Sequence, residues 1–198
     1  MPIAQTGVTA SDYESTKLGT RFAPAYAGAT RINRQQLGGP MTAITLAQAD
    51  RLIDAVLARG AELDCRPLAV IVVEPGCKVK AFKKEDGSSM IRFEMAYGKA
   101  YAALAMGRSS KLVKQRAEEK PMFMRYLITA SDEQIFPEGG GLQIRNAAGE
   151  VIGAVGVTGD SEERDEELAA HGIHAIGLKT DEDCAGLGRR SGIRLTDR

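Results

Sequence analysis

The chain has 198 residues, 43% hydrophobic and 26% charged, with Lys+Arg and Asp+Glu balanced at 26 each. That length predicts one domain with appendages and enough chain for a sizeable core. The balance carries no basic cluster for a phosphate backbone, Trp is absent and aromatics are 5%, so nucleic-acid binding is not expected. No apolar run approaches the ~18 residues of a membrane span. The N-terminus, MPIAQTGVTASDYEST, lacks the basic and apolar regions of a secretory signal, so a cytoplasmic location is expected. Cys65, Cys77 and Cys184 are odd in number and widely spaced, which predicts reduced structural thiols.

Residues 1–42 read as an N-terminal arm, rich in Gly, Thr, Ala and Pro, without sustained periodicity. It either stays disordered or wraps a neighbouring subunit. Gly38-Gly39-Pro40 closes it. The first helix begins at Thr45, where Thr45-Leu46-Ala47-Gln48 fits a capping box and Ile44 a staple. Its expected apolar face is Leu46, Ala49, Ile53, Val56 and Leu57. Leu68–Val73 is a β-branched run expected as a central strand buried on both faces. Pro75-Gly76 turns into Lys78–Lys83, whose strict alternation predicts a half-exposed hairpin partner.

Asp86-Gly87-Ser88-Ser89 then leads into Ser88–Met106, read as one long helix with a serine cap. Phe93, Tyr97, Ala100 and Leu104 share one face; Lys99, Ala103 and Met106 share another. A helix apolar most of the way round is covered on more than one side. A second subunit or a ligand is the expected second cover. Ser109–Lys120 is a charged helix ended by Pro121. Met122–Ile128 is core or pocket wall. Gln134-Ile135-Phe136 is expected as a short strand, followed by the Gly139-Gly140-Gly141 loop. Leu142–Arg145 and Val151–Val157 form a hairpin. Asp160-Ser161 caps a last helix with Glu162, Glu163 and Asp165 in its first turn. Residues 179–198 are a polar tail. The order predicts an α+β fold: a five-stranded antiparallel sheet flanked by helices.

Several residues carry candidate chemistry. Gly139, Gly140 and Gly141 form either an anion nest or a tight structural loop. Lys99, on its apolar helix, is either a base or Schiff-base lysine or one paired with a carboxylate. His171 and His174, one helical turn apart, are the candidates for a metal or a haem iron, although histidine also suits a helix C-terminus. No firm metal site is expected.

These pieces, taken together, resemble the GlcG/HbpS family, which includes the PduO C-terminal domain. The matching stretches are TLAQADRLIDAVLARG…RPLAVIVVEPGCKVKAFKKEDGSS, EMAYGKAYAALAM, FPEGGGLQI and GEVIGAVGVTGDSEERDEELAAHGI. They place a domain at 43–178 between the arm and the tail. The resemblance implies a profilin- or PAS-like layer sandwich that assembles into homo-oligomers. It also implies a pocket near Asp86-Gly87, the Lys99 helix, the glycine loop and Asp165, and binding of haem or a related tetrapyrrole in some members. Haem-binding members carry an axial histidine near the first helix. Here Thr45–Leu63 and the arm have none, so haem would need Tyr, Met, Cys or a late histidine.

The leading expectation is an oligomeric small-molecule-binding protein tied to a catabolic pathway. Its wall would be Phe93, Tyr97, Tyr101, Met122 and Phe123, with polar contacts from Gly139–Gly141. A second reading is a lyase or isomerase acting on a small organic acid, with Lys99 as base or electrophile. Asp86 or Asp165 would then carry the proton, and Arg92 would anchor a carboxylate. A third is a non-catalytic structural subunit.

Overall fold

The structure, a computed structural model, describes residues 43–185. The expected arm and the end of the expected tail lie outside the described residues. The elements run α1 (Leu46–Glu62), β1 (Ala69–Glu74), β2 (Lys78–Lys84), α2 (Arg92–Met106), α3 (Ser110–Glu119), α4 (Pro121–Ala130), β3 (Gly141–Arg145), β4 (Val151–Thr158), α5 (Glu162–Ala175) and α6 (Asp181–Cys184). The capping box forms as the sequence predicts: Thr45 Oγ1 accepts from the Gln48 amide at 3.2 Å and the Thr45 amide donates to Gln48 Oε1 at 3.1 Å. The α1 core face is Ala49, Leu52, Ile53, Val56 and Gly60, whereas Leu46 turns outward, 56% exposed. Ser161 caps α5 by accepting from the Arg164 amide.

The sheet is fully antiparallel in the order β2-β1-β4-β3. β1 lies inside, and its run Ala69–Val73 is buried on both faces. Val70 and Val72 face α1 and α5 in the larger core, with Ile144, Val155, Leu168 and Ile173. Ile71, Val73 and Ala154 face α2 through Ala96, Ala100 and Ala103. Small residues on both sides let α2 lie close to the strands. Another side is covered from within the chain, where Ala102 packs with Val113, Met124 and Ile135 of α3, α4 and the link after α4. This accounts for most of its all-round apolar character.

The sheet has four strands, not the expected five. Gln134-Ile135-Phe136 is an extended link: the Phe136 amide donates to Gly98 O on α2 at 3.2 Å, and Ile135 is buried among helices. That approach needs Gly98, because a Cβ there would lie 2.6 Å from Phe136 Cβ. The serine cap expected for α2 is also replaced. The helix starts at Arg92, after Ile91, without a side-chain cap. Ser88 Oγ instead donates to Leu68 O at 3.2 Å, tying the turn to the start of β1. Met122–Ile128 belongs to α4, which Pro121 opens at the first helical position. Residues 179–185 continue onto the sheet edge: Lys179 bridges Arg145, whose Nε donates to Asp181 at 2.6 Å.

Candidate functional site

The α2 helix, β4 and α5 bring Lys99 and Asp165 together. Lys99 Nζ donates to Asp165 Oδ2 at 2.7 Å and to Val157 O at 3.1 Å. Each side chain is 2% exposed. Asp165 Oδ1 accepts from the Asp160 amide at 3.1 Å. Both charges are therefore paired and hydrogen-bonded inside the fold. Of the alternatives open for Lys99, the structure shows the carboxylate pair.

The glycine loop closes over this pair. A Cβ on Gly140 would lie 2.8 Å from Asp165 Cβ and 3.2 Å from Lys99 Nζ. Its amides are engaged internally: Gly139 N donates to Glu162 Oε2 at 3.0 Å and Gly141 N to Ser110 Oγ at 2.8 Å. The loop is thus bound by the chain's own oxygens. Arg92 sits one step away, donating to Thr158 Oγ1 at 3.1 Å and Gly159 O at 3.3 Å. Asp86 is elsewhere, in an open groove of about 680 Å³ with Asp64, Cys65 and Lys84.

Lys114 joins Glu138 and Glu162 above the loop. Glu162 is held down to about 2, first by the hydrogen bond shared with Glu138 and then by Lys114. Glu138 is pushed up, chiefly by burial. Because the Glu162 value lies below its ordinary 4.5, its contribution to stability is complete above pH 4.5 and is lost as pH falls towards 2. Glu138, shifted the other way, takes its proton first. In Glu138→Ala, the NMR-detected Glu162 midpoint should rise from about 2 towards 4.5; a midpoint that stays near 2 would contradict this coupling.

A second group lies on the outer flank of α2. Phe82 on β2 meets Phe93 edge-on with centroids 5.1 Å apart. Phe93 stacks on Tyr97 at 6.1 Å, with planes 8° apart, and Tyr97 meets Tyr101 at 6.0 Å. Phe93 is 39% exposed, and Met90 and Ile91 just before α2 are exposed. Tyr97 Oη lies 3.1 Å from both Cys77 O and Gln134 Oε1, and its one proton is shared between them. Phe82 extends the row that the helical spacing of Phe93, Tyr97 and Tyr101 predicts. Its place on the exposed alternation of β2 is readable from the sequence; its partner on α2 is not.

The remaining candidates stand apart. Met122 and Phe123 are exposed on α4, with the Arg116 guanidinium 5.8 Å from the Phe123 ring centroid. His171 is exposed on α5, and His174 Nε2 lies 2.8 Å from Asp183 Oδ2. Among the described residues no group of three or more His, Cys, Asp and Glu side chains could hold a metal ion.

The class is an α+β domain with a buried Lys–Asp pair on one flank of its α2 helix and, on another, a half-buried row of rings exposed at Phe93. The family model for haem-degrading protein HbpS-like matches residues 44–174, and the chain belongs to this HbpS-like family. Among solved structures, the PduOC–haem complex superposes with a TM-score of 0.63 at 24% identity, over 70% of this chain and 98% of that one. Protein ORFY of Klebsiella pneumoniae gives 0.61 at 25%, over 67% and 90%. HbpS gives 0.59 at 22%, over 68% and 91%. An uncharacterized 15.0 kDa protein from the dhaT-dhaS intergenic region of Citrobacter freundii is 29% identical over 126 residues, covering 64% of this chain and 87% of its own.

Proposed function

We propose that this chain binds a planar, largely apolar small molecule of the tetrapyrrole class on its aromatic row, and that it works as a homo-oligomer tied to a catabolic pathway in the cytoplasm. The observation that carries the reading is the contact chain Phe82–Phe93–Tyr97–Tyr101, open to solvent at Phe93. Aromatic faces each contribute ~0.5–1.5 kcal/mol to ring stacking beyond burial. One face of a planar ligand can lie on the row, and a second copy would cover the other. The relative solved with haem, PduOC, supports the ligand class.

Iron ligation by histidine does not fit the residues at the row. Neither histidine lies on α2 or β2, and His174 is bound to Asp183. The Tyr97 hydroxyl is engaged, and burial pushes the Cys77 thiol up, away from the thiolate that iron prefers. The row therefore holds its ligand by ring contact. The lyase or isomerase reading gains nothing from Lys99 and Asp165, which are 2% exposed.

Haemin titration followed by its Soret band tests the assignment. Saturable binding should persist in His171→Ala and His174→Ala and weaken about tenfold, or ~1.4 kcal/mol, in Phe93→Ala. Loss of binding in either histidine variant would replace stacking with iron ligation. No binding at all would overturn the ligand class.

A further inference from the structure

Asp86 and Gly87 form the tip of the turn between β2 and α2. Both are exposed, and Asp86 faces the open groove of about 680 Å³. The turn closes through the Ser88 amide, which donates to Glu85 O at 3.3 Å. Its two flanks are tied to the start of β1: the Leu68 amide donates to Glu85 Oε2 at 2.7 Å, and Ser88 Oγ donates to Leu68 O at 3.2 Å. The tip between these ties is unbonded. Among the described residues no donor reaches the Asp86 carboxyl and no acceptor reaches the Gly87 amide.

These two groups are placed to react with each other. Bonding the Gly87 nitrogen to the Asp86 side-chain carboxyl carbon closes a five-membered ring, an intramolecular step favoured by proximity. Glycine leaves the nitrogen uncrowded and lets the backbone turn as closure needs. The surroundings are open as well: even a Cβ added at Gly87 would meet nothing nearer than Pro67 Cγ at 3.7 Å. Other aspartates of the fold lack this freedom. The Asp160 carboxylate accepts from the Arg66 amide at 2.9 Å, and the following Ser161 is fixed as the α5 cap. After Asp64, the Cys65 amide donates to Gly60 O at 3.0 Å.

We propose that Asp86-Gly87 is a site of spontaneous modification, at which aspartate isomerises to isoaspartate in the folded chain. The Gly87 nitrogen attacks the protonated Asp86 carboxyl. A new N–C bond forms, and the amide hydrogen leaves with the carboxyl hydroxyl as water. Water then opens the resulting succinimide. Attack at the former main-chain carbonyl breaks its bond to nitrogen, frees that carboxylate and routes the chain through the side-chain carbon. One water leaves and one returns, so mass is unchanged and nothing is oxidised or reduced. The product carries one extra backbone methylene between the two ties to Leu68, which displaces the Ser88 hydroxyl from Leu68 O. The chemistry is independent of tetrapyrrole binding on the aromatic row.

Prolonged incubation of the full folded chain at neutral pH and physiological temperature, followed by tryptic digestion, tests this. Trypsin cuts after Lys84 and Arg92 and so isolates peptide 85–92. That peptide should separate into two chromatographic forms of equal mass, the new one a substrate for protein-L-isoaspartate methyltransferase. The peptides carrying Asp64 and Asp160 should each stay a single form. In Asp86→Glu, whose longer side chain closes no five-membered ring, the new form should be lost. The proposal is overturned if the folded chain keeps peptide 85–92 as one form, even where the urea-unfolded chain converts it. It is equally overturned if the Asp64 or Asp160 peptide converts as fast, or if the new form persists in Asp86→Glu.

Discussion

Replacing Lys99 by methionine should cost roughly 3–5 kcal/mol of stability, because it strands the Asp165 carboxylate in the core. Lys99 and Asp165 are each 2% exposed, and the ammonium is the charged partner of Asp165 Oδ2 at 2.7 Å. The substitution also leaves Val157 O without its side-chain donor. Adding Asp165→Asn should recover more than half of the loss. The amide removes the stranded charge, keeps an oxygen for the Asp160 amide and offers an N–H towards Val157 O. Urea unfolding of the two variants checks this through their midpoints at constant slope. A loss below about 1 kcal/mol in the single variant would show that water reaches Asp165, and would reopen Lys99 to chemistry.

Gly156→Ala should be at least as damaging as an overpacked core, at or above ~3 kcal/mol. A Cβ at Gly156 would lie 2.0 Å from Ala96 O and 3.1 Å from Ala100 N. Those are backbone atoms of α2, so no rotamer change relieves the clash and the helix must lift off β4. It would break the Ala96, Ala100 and Ala103 contact with Ile71, Val73 and Ala154 and carry the aromatic row with it. Gly76→Ala is the control: its φ is +88° and nothing lies within 4 Å of the added Cβ. Only local backbone strain of about 1 kcal/mol is expected there. Equal losses in the two variants would contradict the close helix–sheet packing.

The features legible from the sequence are those set by neighbours along the chain. The Thr45–Gln48 box, the Ser161 cap and the buried run Ala69–Val73 each follow from local side-chain chemistry or a short pattern, and each is present. The features that are not legible depend on distant partners. Gln134-Ile135-Phe136 has a strand-like composition, but its backbone finds Gly98 on a helix rather than another strand. Ser88 could cap α2, yet Leu68 O, twenty residues away, takes its hydroxyl. The all-round apolar character of α2 leads to the expectation of a subunit or a ligand as second cover, whereas Ala102, Val113 and Met124 show that much of that cover is intrachain. In the site, Phe93, Tyr97 and Tyr101 align because helical spacing aligns them.

Ring stacking at α2 is what holds the ligand in the proposed function, and metal-free protoporphyrin IX isolates that contribution. It carries the planar macrocycle without iron, and the chain has no Trp, so porphyrin fluorescence can be followed without tryptophan emission. Titrated into the parent protein, it should bind saturably and within a few-fold of haemin, and about tenfold more weakly to Phe93→Ala. Haemin binding without protoporphyrin binding, or equal binding by parent and Phe93→Ala, would contradict stacking on this helix.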